Sequence, residues 1–176
     1  ARQVRRCAAP RVLNLFAYTG AATLAAAAAG AEVTHVDAAR TTVAWARRNA
    51  DLSGLSDRPI RWIIDDAPTF VRRELKRGRR YQAVILDPPS YGHGPKGEVW
   101  KLADHLPELL ADCAKLTADD RRFMLLTSHT PGFGPAVLGR LLAEAFDVAR
   151  VGSDELALCA SSGLRLPCGA MARVGQ

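Results

Sequence analysis

Short apolar runs alternate with stretches of helical periodicity along almost the whole chain. Val12 to Ala17 predicts a first strand, and the Ala-rich run Ala21 to Ala29 a short helix that stops at Gly30. Glu32 to Asp37 predicts a second strand, followed by a helix from about Ala39 to Leu52. Ile60 to Asp65 reads as the third strand, and Ala67 to Arg77 as a helix ended by Gly78. Tyr81 to Asp87 is a nearly continuous apolar run, the mark of a strand covered on both faces. A Gly- and Pro-rich loop, Pro88 to Gly97, separates it from a helix over Ala103 to Leu116. Arg122 to Ser128 predicts a fifth strand and Pro135 to Ala145 the last helix. Two further strands, about Val148 to Leu158 and Cys168 to Val174, meet at a turn near Ser161 to Gly163.

Alternation of this kind builds an α/β, doubly wound, mostly parallel sheet with right-handed crossovers. The last two strands have no helix between them, so they form a C-terminal antiparallel hairpin and complete a seven-stranded sheet. In open α/β sheets ligands bind beyond the carboxyl ends of the strands. The residues that follow each strand are therefore the candidates for chemistry.

The first strand runs into Asn14-Leu15-Phe16-Ala17-Tyr18-Thr19-Gly20, a turn that can aim backbone N–H groups and the next helix N-terminus at a ligand. The GxGxxG fingerprint is absent, which argues against a nicotinamide dinucleotide. The second strand ends in Asp37-Ala38, where a carboxylate can accept both ribose hydroxyls of an adenosyl group or cap the next helix. The third ends in Asp65-Asp66-Ala67. One carboxylate there can take an adenine amino group while the other caps a helix; Asp66 is the choice for adenine.

Asp87-Pro88-Pro89-Ser90-Tyr91, after the fourth strand, is the most specific feature of the chain. Two prolines fix the backbone, remove two donors and leave aimed carbonyl acceptors. An Asp beside them can hold an amino group with its lone pair toward an electrophilic methyl, which is catalysis by positioning. Tyr91 can stack on a base, a contact worth about 1–3 kcal/mol.

Taken in order, LNLFAYTG, THVDAAR, IIDDAPTF and VILDPPSYG resemble the class I S-adenosylmethionine (SAM) dependent methyltransferases related to the large-subunit ribosomal RNA cytosine-C5 enzymes. The likeness runs from Val12 to Ser128 and, more weakly, through Glu155-Leu156-Ala157-Leu158 and Leu166-Pro167. It implies a Rossmann-like fold and SAM as cofactor. It further implies contacts from the loop at Asn14, Phe16, Tyr18, Thr19 and Gly20, and from Asp37, Asp66 and Asp87. Ala38, Asp65 and Ala67 count with them as neighbours. Such proteins usually carry an additional N-terminal portion with RNA-binding and cofactor-covering elements. The chain accordingly divides into a basic N-terminal segment, residues 1–11, read as the remnant of something longer, and a catalytic domain, residues 12–176.

One departure bears on the acceptor. Cytosine C5 is a poor nucleophile until a thiolate adds to C6. That thiol is needed near the end of the fourth or fifth strand, where this chain has Pro88-Pro89 and Thr127-Ser128-His129-Thr130. Cys7, Cys113, Cys159 and Cys168 all lie elsewhere. The expected acceptor is then a nitrogen or oxygen of RNA, above all ribosomal RNA, with His129 as candidate general base. A small-molecule or protein acceptor, and an inactive SAM-binding module, are the competing readings. The loop from Gly92 to Trp100 has the composition of a lid, in which Lys96 meets a phosphate and Trp100 covers a base. Equally, Trp100 anchors the next helix.

At 176 residues, 48% hydrophobic and 24% charged, the chain fits one globular domain. The longest Ala block is too short to cross a bilayer, and no secretory signal leads the chain. No CxxC pair or His at ligand spacing suggests a metal, and reduced thiols in the cytoplasm are expected, although Cys159 and Cys168 can approach across a strand pair. Nothing fixes an oligomeric state. The net charge is +6, and its densest cluster is Arg72, Arg73, Lys76, Arg77, Arg79 and Arg80. These residues fall at a helix end opposite the expected cofactor, where dipole matching accounts for them, with a grip on folded RNA as the second reading.

Overall fold

The computed structural model describes residues 9–175, so most of the basic N-terminal segment, and Cys7 with it, lies outside the described residues. In chain order the first elements are β1 (Arg11–Leu15), α1 (Ala21–Ala28), β2 (Glu32–Asp37), α2 (Arg40–Leu52), β3 (Ile60–Ile64), α3 (Ala67–Lys76) and β4 (Ala83–Leu86). They are followed by β5 (Tyr91–His93), β6 (Val99–Lys101), α4 (Leu102–Leu116), β7 (Phe123–Ser128), α5 (Pro135–Phe146), β8 (Gly152–Cys159) and β9 (Arg165–Gly175).

Seven strands form one sheet in the order β3-β2-β1-β4-β7-β9-β8. The first five are parallel, and β9 runs antiparallel between β7 and β8. The chain moves outward from β1 through β2 to β3, then returns to β4 and moves the other way. The switch point therefore falls between β1 and β4, which is where a ligand crevice opens in such sheets.

Helices α3, α4 and α5 cover one face with Phe70, Leu106, Leu110, Leu138 and Leu142, all fully buried. Burying a leucine of this kind contributes about 1.5–3 kcal/mol relative to leaving it exposed. On the other face Ala27 of α1 packs against Val12, Val33 and Ala83, small residues that let the alanine helix lie close to the sheet. Alanine also costs least in backbone propensity, which matters for a helix of 8 residues.

Three departures from the sequence pattern have physical causes. The stretch expected as a loop, Pro88 to Gly97, contains the first strand of a small antiparallel hairpin, with His93 opposite Val99 and Tyr91 opposite Lys101. Its glycines and proline hid a short period-two pattern. The strand expected from Cys168 begins three residues earlier, at Arg165, and the β8–β9 arm extends past the end of β7, where Ser128 pairs with Ala170. Cys159 and Cys168 do not face each other. Cys159 pairs with Arg165, and the register slips so that Leu156 faces Gly169 while Ala157 faces Pro167. Cys168 is thus the extra residue of a β-bulge. Both cysteines are free thiols.

Candidate active site

The turn after β1 is held under strain. Phe16 and Tyr18 adopt left-handed φ values of 54° and 48°, and Gly20 one of 92°. Such a conformation costs a non-Gly residue on the order of 1–3 kcal/mol and persists only where surroundings enforce it. Here Ala17 N–H donates to the Val36 carbonyl at 3.0 Å, and Tyr18 N–H donates to Asp37 Oδ2 at 2.9 Å. A Cβ on Gly20 would sit 3.1 Å from Ala46 Cβ, a tight contact added to a left-handed backbone that favours glycine. Phe16 and Tyr18 line the cavity beyond the strand ends, but Asn14, Thr19 and Gly20 do not. Asn14 is buried and donates from Nδ2 to Thr23 Oγ1, which hydrogen-bonds His35 Nδ1, both at 2.9 Å. Thr19 gives its carbonyl to Asn49. These residues shape the turn from behind.

Asp37 receives two backbone N–H groups at 2.9 Å, from Tyr18 on Oδ2 and from Ala39 on Oδ1. One carboxylate thereby joins the β1 turn to the start of α2, and Ala38 beside it lines the cavity. The two carboxylates after β3 have different partners. Asp66, assigned to adenine, is the helix cap: its Oδ2 accepts from Thr69 N–H at 2.9 Å. Asp65, left for the cap, instead pairs with Arg73. Both are buried and both line the cavity with Ala67. Asp66 Oδ1 accepts nothing from the described residues, so the cap leaves one oxygen for a ligand.

Asp87 is half exposed at the end of β4, and its Oδ1 accepts the Thr127 hydroxyl at 2.7 Å. His129 Nε2 lies 3.6 Å from the same oxygen. The other ring nitrogen, Nδ1, is placed against the Cys168 carbonyl. The bulge explains that contact: as the unpaired residue of β9, Cys168 offers its carbonyl sideways. A Cβ on Gly169 would come within 2.8 Å of His129 Nδ1 and of the Ser128 carbonyl, so glycine is required for this approach. Nδ1–H donating to that carbonyl leaves Nε2 as the basic nitrogen, turned toward Asp87.

The prolines behave only partly as expected. Pro88 and Pro89 line the cavity, yet the Pro89 carbonyl accepts from Trp100 Nε1 at 2.7 Å and is not aimed at a ligand alone. Trp100 is buried, packs tilted against Phe16 with ring centroids 4.9 Å apart and forms a wall, so it anchors the hairpin and does not act as a lid. Tyr91 stands outside the cavity, half exposed, with its hydroxyl 3.2 Å from His93 Nε2. Ser90, His93, Gly94 and Thr130 also line the cavity; the sequence set them in the strand-end segments and in the loop of residues 92–100 without giving any of them a site role. The Ser90 and Thr130 hydroxyls, 2.8 Å apart, bridge the exits of β4 and β7. The alternation of Tyr91 and His93 against Val99 and Lys101 around a Pro-Lys-Gly turn was the available signal.

The cavity has a volume of about 550 Å³, within the range of small-molecule sites. Among the described residues, four aspartates line it and no Lys or Arg does. That lining suits a cation. SAM carries a sulfonium and an ammonium group, and its adenine can lie against the apolar wall of Phe16 and Val36. No helix of the described residues is long and apolar enough to cross a membrane.

Comparisons with known proteins bear on the fold and the family. The ribosomal RNA large subunit methyltransferase K of Neisseria meningitidis serogroup B is 32% identical over 151 residues, which is 85% of this chain and 42% of that protein. A SAM dependent methyltransferase of known structure from Agrobacterium tumefaciens superposes with a TM-score of 0.89 at 40% identity, covering 94% of this chain and 55% of the other. A SAM-dependent methyltransferase structure from Streptococcus mutans shares the fold, with a TM-score of 0.74 at 18% identity over 96% of this chain and 45% of that one. The chain spans about half the length of each of these three relatives. The profile described as S-adenosylmethionine-dependent methyltransferase matches residues 1–140, and the chain belongs to that family.

Proposed function

We propose that this chain carries a methyl group from SAM to a nitrogen or oxygen of RNA, ribosomal RNA in the first place, in the cytoplasm. The observation that carries the reading is Asp87 with Thr127 fixing one of its oxygens and His129 3.6 Å away, at the mouth of a cavity suited to SAM. Bound SAM supplies an electrophilic methyl on a sulfonium. An acceptor amino group, ring nitrogen or hydroxyl needs an oriented lone pair and a destination for its proton. Asp87 accepts an N–H or O–H of the acceptor, and His129 Nε2 takes the proton. Transfer of this kind draws its rate from positioning and fixed charge. A relative named as a ribosomal RNA methyltransferase supports RNA as the acceptor class. No cysteine lines the cavity among the described residues, which supports nitrogen or oxygen over a carbon that needs covalent activation. In the same reading Asp37 receives the ribose and Asp66, through Oδ1, the adenine amino group.

The test has two arms. Nucleosides of RNA from a strain lacking the gene, analysed by mass spectrometry, should have lost one methylated nitrogen or oxygen species. Loss of a carbon-methylated species, or no loss, sinks the acceptor assignment. In the purified full-length protein, Asp87→Ala should lower transfer at least about a thousandfold, or about 4 kcal/mol. Folding should be spared, because the side chain is half exposed. Activity within tenfold of wild type removes Asp87 from the centre of the site.

A further inference from the structure

We infer that the cleft at the opposite, N-terminal edge of the sheet is a second RNA contact, which grips phosphodiester groups of a folded RNA while the reacting base sits at the cavity. This rests on the RNA reading above.

The cleft, of about 620 Å³, is lined by Arg11, Arg58, Arg61, Arg77, Arg79 and Arg80 against Glu32 and Glu74, an excess of four positive charges. The arginines converge from separate parts of the chain: the start of β1, the turn before β3, β3 itself, and the connection from α3 to β4. A helix C-terminus offers about half a negative charge. That can account for Arg77 at the end of α3, and not for arginines arriving from three other segments. Nor does the sequence cluster stay together. Arg73 reaches back to Asp65, and Arg72 lies 3.8 Å from Glu108.

The floor of the cleft orders its donors. Glu74 is 1% exposed and holds Arg77 at 3.1 Å and Arg61 at 3.6 Å, while the Tyr81 hydroxyl donates to it at 2.8 Å. A guanidinium has five N–H donors in a rigid fork, and one carboxylate leaves several unspent on each arginine. Arg58 and Arg79 are exposed and make no ion pair among the described residues. Arg80 is balanced at the rim by Asp119. Planar, pre-oriented guanidinium groups around a polar floor recognise phosphate.

Charge also explains why such a contact is needed. With Asp65 paired to Arg73, the cavity still presents Asp37, Asp66 and Asp87, which attract SAM and repel a polyanion, so attraction for RNA is expected from another surface. Strands of five or six residues place the two openings about 17–20 Å apart. A folded RNA covers that span, and a small metabolite does not.

The experiment measures binding of a fluorescein-labelled RNA stem-loop to the full-length protein by anisotropy between about 50 and 200 mM salt. Arg58→Gln/Arg79→Gln should bind about tenfold more weakly and reduce the slope of log affinity against log salt by about 1.5–2. Calorimetric affinity for SAM should not change. Arg140→Gln/Arg150→Gln removes the same charge away from the cleft and should stay within about twofold of wild type. If both pairs lose affinity equally, or the cleft pair loses none, the inference is overturned while RNA remains the acceptor. If inorganic phosphate at matched ionic strength raises the melting temperature of wild type only, with RNA affinity equal in both, the cleft serves a small free anion. Wild type that binds SAM and no RNA sinks the acceptor reading and the cleft with it.

Discussion

The two edges of the sheet expose opposite charge, and the buried network beneath each differs in the same sense. Under the cavity turn lies Asn14–Thr23–His35, a network kept neutral: burial pushes the His35 imidazole down to about 4. Its Nε2 is buried without a partner among the described residues, and Trp62 packs 4.8 Å from the ring. Under the arginine cleft lies Glu74 with Tyr81, Arg61 and Arg77, a charged network in which the carboxylate is engaged by all three. The acidic edge thus rests on a neutral support and the basic edge on an anionic one. A neutral support does not weaken the pull of the cavity aspartates on a cation, and an anionic support holds arginines that would otherwise repel one another.

Acid should break this arrangement first at the cavity edge. His35 is depressed in the folded state from an ordinary value of 6.5 to about 4. Its neutral form therefore stabilises the fold above pH 6.5, and that contribution is lost as pH falls through 4. Linkage sets the loss at about 2 kcal/mol by pH 5 and about 3 kcal/mol by pH 4. Urea denaturation of wild type against His35→Asn should show a steeper acid limb for wild type between pH 6.5 and 5. Parallel limbs would mean that His35 is not what keeps this support neutral.

The next effect is on the ligand. Asp37→Asn removes one charge from the lining and one of two acceptors that join Tyr18 and Ala39. SAM affinity measured by calorimetry should fall about 10–100-fold, or about 1.4–2.8 kcal/mol. The salt dependence of RNA binding should stay as it was, since the change lies at the other edge. A variant whose RNA slope moved and whose SAM affinity did not would invert the comparison.

Much of the cavity edge was legible because strand ends are fixed by pattern. β2 has the expected limits, and Asp37, Asp65, Asp66 and Asp87 fall at the cavity as the topology requires. What the chain order hid was set by neighbours distant in sequence. Asp66 caps α3 as the residue just before Ala67, while Asp65 is taken by Arg73, two turns along the helix. His129 is oriented by a carbonyl of β9, freed by a bulge that composition does not announce. Tyr81 was read as strand, but its N–H donates to Leu116 and its side chain points at Glu74, so the strand starts at Ala83. The charge cluster of residues 72–80 was visible, and its splitting between Asp65, Glu108 and the cleft was not.

The smallest predicted effect tests the support of the basic edge. Tyr81 is buried, and burial raises its hydroxyl from 10 to about 12. The protonated phenol is the form that donates to Glu74, so this contribution is present below pH 10 and is lost as pH rises through 12. Tyr81→Phe deletes the donor but leaves Glu74 its two arginines, so the cost should be about 1–2 kcal/mol, below that of exposing an unpaired charge. Unfolding by urea at pH 8 and pH 11 should show the difference between variant and wild type narrowing at the higher value. RNA affinity should fall only slightly, because Arg58 and Arg79 owe nothing to the phenol. A loss as large as that of Arg58→Gln/Arg79→Gln would instead mean that Glu74, held by Tyr81, positions the whole cleft.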